Sequence, residues 1–111
     1  MVDEVAEPTL VCPVNATLEV ISGKWKPSIL CELRAGPRRF GELKREIPAI
    51  SEKVLATDLR ALESDGIVSR RQFYEGAVLA TEYAFTDFGR TLIPALNALA
   101  EWGLTHGRPP R

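Results

Sequence analysis

Residues 40 to 66 constrain the fold more than any other stretch, because they carry two helix patterns separated by a break with room only for a tight turn. Phe40-Gly-Glu-Leu-Lys-Arg-Glu-Ile47 is followed by Pro48-Ala-Ile50, then by Ser51 and Glu52-Lys-Val-Leu-Ala-Thr-Asp-Leu-Arg-Ala-Leu62, before Asp65-Gly66 ends the pattern. Pro48 cannot extend the preceding helix, Ile50 can pack beneath the turn, Ser51 is the expected N-cap of the next helix, and Gly66 is its expected stop. In that second helix Leu55, Leu59 and Leu62 recur at i, i+4 and i+7 and predict one buried stripe. At about 100° per residue, Lys53, Thr57, Arg60 and Ser64 then fall roughly 160° away, on an outward row of hydrogen-bond donors with no acid among them.

Beyond the pair, Gly66 to Phe73 and Thr81 to Thr86 are rich in β-branched and aromatic residues and predict two strands, joined by a loop containing Gly76. A charged row on an arbitrary amphipathic helix is more often a plain solvated face. Here its neighbours change the reading. The expected class is mainly α with a small β-hairpin (α+β), a winged helix-turn-helix, which is the layout of a protein that inserts one helix into the major groove of DNA. Ser51, Lys53, Thr57 and Arg60 are the candidate contacts from that helix.

The formal net charge of −1 looks wrong for a DNA partner until its distribution is considered. Residues 1 to 23 hold four acids and no base, whereas residues 24 to 74 hold eleven bases against seven acids, so the helix pair lies in the basic part. Specific, salt-sensitive binding is expected rather than indiscriminate coating. The chain reads as one domain over residues 12–105, with an acidic arm at 1–11 and a tail at 106–111 that includes His106. No apolar run approaches the roughly 18 residues of a membrane span, and the acidic start lacks the features of a signal peptide, so the expectation is a cytoplasmic protein without a membrane partner.

A short helix is expected from Val14 to Ile21, with Pro13 in its first turn, and another from Pro27 through Ile29, Leu30 and Leu33, broken by Gly36-Pro37. Lys24 and Lys26 would then stand just ahead of a helix N-terminus and suit a phosphate, with Trp25 between them buried. Arg38 and Arg39, in the loop before the Phe40 helix, are candidate backbone contacts. Thr86-Asp87 is expected to cap a final helix whose stripe runs Phe88, Leu92, Leu96, Leu99 and Trp102, kinked at Pro94. One small domain cannot easily cover that stripe. A two-fold homodimer is therefore expected, built from Leu18, Ile21, Leu96, Leu99 and Trp102.

With these residues assembled, the chain resembles the HxlR-type transcriptional regulators, small winged-helix proteins related to the MarR group. The resemblance covers residues 12 to 103. It rests on Cys12-Pro-Val14, Thr17-Leu18, Gly23-Lys-Trp-Lys26, Arg39-Phe40 with Glu42-Leu43, Ile50-Ser51, Leu55, Leu59-Arg60, Leu62-Glu63, Asp65-Gly66, Arg70, Glu82-Tyr83, Thr86, Gly89 and Trp102-Gly103. It implies a homodimer joined through the first and last helices, a roughly palindromic double-stranded DNA operator, and Ser51 to Ser64 as recognition helix. The wing departs from the family pattern. Where the family usually carries Pro and a basic residue shortly before the Glu-Tyr pair, this chain has Val78-Leu79-Ala80-Thr81, so minor-groove contact by the tip is not expected, Arg70 or Arg71 on the first strand would supply the flanking phosphate contacts instead, and Glu75 is expected to repel the duplex.

The resemblance also matches Cys12 to a position where several family members carry a thiol that senses oxidants or electrophiles. A cysteine before Pro13, at a helix N-terminus, is placed for a favoured thiolate, although Asp3, Glu4 and Glu7 oppose it; the alternative is an inert cysteine. Cys31, inside the apolar second helix, reads as core. Neither cysteine has metal-ligand spacing or a companion histidine placed for catalysis, so no metal, no cofactor and no enzymatic activity are expected. Two other classes stay open beside the regulator: a winged-helix protein-interaction module, and a regulator with a non-covalent small-molecule effector.

Overall fold

A computed structural model of the chain describes residues 12–107; the acidic arm at 1–11 and the last four tail residues lie outside the described residues. The elements in order are α1 (Pro13–Ile21), α2 (Lys26–Leu33), β1 (Arg38–Arg39), α3 (Phe40–Glu46), α4 (Glu52–Ser64), β2 (Val68–Glu75), β3 (Val78–Phe85), α5 (Asp87–Arg90) and α6 (Ile93–His106).

The helix pair forms where the sequence places it. Ser51 caps α4, its Oγ accepting the Val54 N–H at 3.1 Å. Leu55, Leu59 and Leu62 are wholly buried at 0% exposure. At the far end Gly66 adopts φ +78°, while the Ile67 N–H donates to Leu62 O and the Gly66 N–H to Glu63 O, both at 3.0 Å. This paired closure is a Schellman stop, which needs a left-handed residue at Gly66. The leucines of α4 pack into one core with Ile29, Leu30 and Leu33 of α2, Leu43 of α3, and Val68, Tyr83 and Phe85 at the base of the sheet.

The sheet has three antiparallel strands in the order β1-β3-β2, not two. Arg38 and Arg39 form β1 and pair with Tyr83 and Glu82, so they are strand residues rather than loop. Two residues are too few to show an alternating pattern. β2 and β3 also run further than their β-branched content suggests and close at Gly76-Ala77, with Glu75 opposite Val78. Gly76 has φ +65° and no other residue of the turn has a positive φ, as a type II′ hairpin requires.

After the sheet the expected single kinked helix is two helices. Thr86 Oγ1 accepts the Gly89 N–H at 2.8 Å and donates to Gly66 O at 2.6 Å, capping the short α5 while tying it to the exit of α4. Pro94 then sits in the first turn of α6, where its missing N–H costs nothing, and so begins a helix instead of bending one. Phe88 consequently leaves the stripe and is exposed. His106, expected in the tail, ends α6 with its ring stacked on Trp102 at 5.2 Å between centroids.

Gly89 is buried where α5 crosses the start of β2, and a Cβ there would lie 2.0 Å from Ile67 O. Gly89→Ala is therefore expected to lower stability by about 3 kcal/mol or more, at the upper end of overpacking costs, because a backbone carbonyl must move. A urea titration unchanged within error would show that α5 does not hold this position.

Candidate nucleic-acid interface

Burial of the leucine stripe fixes the rotation of α4 and leaves Lys53, Thr57, Arg60 and Ser64 exposed on the other side. Thr57 is not a free donor, however. Its Oγ1 donates to Lys53 O at 2.9 Å, within the helix, so it presents a methyl group and acceptor lone pairs outward. Ser51 accepts from Val54 and keeps its hydroxyl proton available. Among the described residues, Lys53 and Arg60 have no carboxylate within 4.0 Å.

Between α4 and the wing lies a cleft of about 280 Å³ lined by Ala56, Arg60, Glu63, Arg70 and Tyr83. The fold thus brings Arg60 of the helix and Arg70 of the strand to one opening. Arg70 Nε is 3.7 Å from Glu63 Oε1, a loose pair. Burial holds the Tyr83 phenol above the ordinary tyrosine range, against the pull of Arg70, so it faces the cleft as a neutral hydroxyl.

The other wing arginines are engaged. Arg71 Nη2 is 2.9 Å from Glu82 Oε1, and Arg39 forms two parallel bonds to Glu75, both 2.7 Å. The guanidinium groups of Arg39 and Arg71 both lie over the Phe73 ring, at 5.3 and 4.4 Å from its centroid. These hydrogen bonds to Arg39 lower the Glu75 carboxyl below the usual carboxylate range and raise Arg39 in turn. Glu75 therefore does not stand at the tip as an unpaired repelling charge. The linear charge count missed this because Glu75 and Glu82 follow the basic segment in sequence and face it in space. Strand alternation through Arg71, Phe73 and Glu75 was the available signal. Arg38 donates to Pro37 O at 3.2 Å. The tip carries exposed Tyr74, Val78 and Leu79.

Lys24 and Lys26 belong to the start of α2, but Lys26 is inside its first turn rather than ahead of it, and Trp25 is the N-cap. The Lys24 ammonium lies over the Trp25 ring at 5.1 Å, with that ring packed against the core.

Of the residues expected at a dimer interface, Ile21 and Leu96 are 4% exposed and already belong to the protomer's own core. Leu18, Leu99 and Trp102 are 43%, 55% and 63% exposed. With Val14 they border an apolar groove of about 420 Å³ between α1 and α6. Cys12 is the exposed N-cap of α1 and makes no capping hydrogen bond through its side chain. Cys31 is half-buried rather than core, lining a neighbouring cleft with Leu18 and Leu99. No group of three or more potential metal ligands and no helix long and apolar enough to cross a membrane occurs among the described residues.

The HxlR-like helix-turn-helix family matches residues 20–110. An uncharacterized HTH-type transcriptional regulator of Methanothermobacter thermautotrophicus is 39% identical over 105 residues, covering 95% of this chain and 79% of that protein. The regulator YtcD of Bacillus subtilis is 46% identical over 93 residues, 84% of this chain and 73% of the relative. Among solved structures, the redox regulator HypR in its oxidized form superposes with a TM-score of 0.80 at 42% identity, covering 89% of this chain and 100% of that one. Diamide-treated YodB from B. subtilis gives a TM-score of 0.70 at 30% identity, with 90% and 99% covered.

Proposed function

Because the chain belongs to the HxlR-like helix-turn-helix family of transcriptional regulators, we propose that it acts by laying α4 in the major groove of double-stranded DNA, with two copies bound to a roughly palindromic operator. The observation that carries this reading is the pair of unneutralised cations Lys53 and Arg60 on the exposed face of a helix whose opposite face is locked into the core. They lie seven positions apart, about 10 Å along the axis, so they meet bases about three steps apart or a base and a phosphate. Arg70, across the cleft, supports α4 from the backbone side; Lys24, Lys26 and Arg38 are the flanking phosphate candidates.

A second copy is the natural cover for Val14, Leu18, Leu99 and Trp102. Two-fold pairing there would set the separation of the two α4 helices near one helical turn of DNA, about 34 Å. The likeness to HypR and YodB, named as a redox regulator and studied as diamide-treated protein respectively, supports a thiol-responsive version of this function. The exposed Cys12 begins α1, one of the two helices bordering the apolar groove. Its modification would disturb the pairing and hence the half-site spacing.

Three outcomes are expected. Arg60→Ala costs roughly 1 to 3 kcal/mol in binding to a selected operator by fluorescence anisotropy, with a smaller loss on random duplex; full retention of specific affinity would remove α4 as the reading element and favour a protein-interaction role. Trp102→Asp gives a monomer by analytical ultracentrifugation, whereas an unchanged dimer would place the interface elsewhere. Mild oxidant releases the wild type from operator but not Cys12→Ser, and equal release of both would make Cys12 structural.

A further inference from the structure

Glu75 is an acid at the far end of β2 in a protein whose proposed partner is a polyanion, and among the described residues it has one cationic companion, Arg39, thirty-six residues earlier. The two lie on different strands, β1 and β2, with β3 between them. The register explains how they meet. Arg39 stands opposite Glu82, and Phe73 opposite Ala80, so these residues share one face of the sheet with Arg71 and Glu75. Ala80 is small and buried, which leaves the Arg39 side chain room to cross β3, lie against Phe73 and reach the carboxylate.

We propose that the Glu75 carboxylate stands in for a DNA phosphate on the Arg39 guanidinium and is exchanged for one when the duplex docks. The proposal rests on the DNA-binding function argued above and deepens it. Both groups are exposed, Arg39 at 38% and Glu75 at 61% of their side-chain area, so the pair is open to competition from an outside anion. A phosphate presents two oxygens to the guanidinium fork as the carboxylate does. Arg39 does not collapse when released: its backbone N–H is tied to Glu42 at 2.8 Å as the cap of α3, and its guanidinium keeps the Phe73 ring. Glu75 also masks that charge until docking, which weakens sequence-independent attachment while leaving Lys53 and Arg60 unmasked.

The test is a double-mutant cycle with full-length protein and a random-sequence duplex, measured by anisotropy between about 50 and 200 mM salt, alongside side-chain ¹⁵N NMR of the arginine Nε groups. Glu75→Gln is expected to tighten binding roughly two- to fivefold per protomer, as exposed pairs allow, and to leave the log–log salt slope unchanged, because Arg39 meets a phosphate in both proteins, whereas Arg39→Ala makes the slope shallower by about 0.9 per protomer. Arg39→Ala should weaken binding and abolish most of the Glu75→Gln gain. The Arg39 Nε signal should move on Glu75→Gln, and move again when duplex is added to wild type. An equal gain with and without Arg39, or no gain, overturns the exchange. An Arg39 signal indifferent to Glu75→Gln removes the pair itself. Absence of any duplex binding by wild type, with the signal still responsive, instead defeats the DNA-binding reading and the exchange with it.

Discussion

Complete burial of Leu55, Leu59 and Leu62 is the constraint on which the rest of the molecule depends. Truncating any one of them to alanine removes about 2 to 5 kcal/mol in a tightly packed core, which is a large share of a small domain's stability. A helix held by three such contacts at i, i+4 and i+7 has no freedom to rotate. Its opposite row therefore faces outward as a geometric consequence, and the direction of Lys53 and Arg60 is set by leucines on the far side. Ser51 and Gly66 fix where that helix starts and stops, so its exposed face is defined in length as well as in rotation.

The wing's orientation is set at a single joint. Gly66 O accepts the Thr86 hydroxyl, Ile67 O accepts the Thr86 N–H at 3.0 Å, and Gly89 crosses too closely for a side chain. The exit of α4, the first residues of β2, the end of β3 and the start of α5 all meet there. The root of the wing thus moves with α4. Further out the hairpin leaves the core, and Arg39 is what ties its end to β1 and to the cap of α3. Root and tip are held by different chemistry: backbone hydrogen bonds below, an exposed ion pair above.

The sequence reveals whatever is written in a strong local period. The leucine repeat, the Pro48 break and the caps at Ser51 and Thr86 each act through neighbours within a turn or two, and each appears where expected. What was not legible depends on contacts across the sheet. β1 is two residues long and exists only because Tyr83 and Glu82 pair with it. Proline at 94 is compatible with either a kink or a fresh start, and the tertiary joint at Gly89 decides between them. Leu96 and Ile21 share a stripe with Leu99 and Leu18, but the protomer buries the first pair and exposes the second. Periodicity identifies an apolar face without saying how much of it one chain can cover.

Charge shows the same limit and its resolution. A chain of pI near 5.8 can bind DNA because screening confines each charge to a neighbourhood of about 8 to 10 Å at ordinary salt, so net charge matters less than what stands at the docking face. On that face the cations divide by partner. Arg39, Arg70 and Arg71 each face a carboxylate, while Lys53 and Arg60 have none among the described residues within ion-pair distance. Paired arginines attract a duplex weakly at long range and contribute only after their acids are displaced, which needs close, well-aligned contact. Free cations on α4 attract from the start. Under the proposed function, this arrangement favours approach by α4 and delays the contribution of the paired arginines, so firm attachment follows correct docking rather than preceding it.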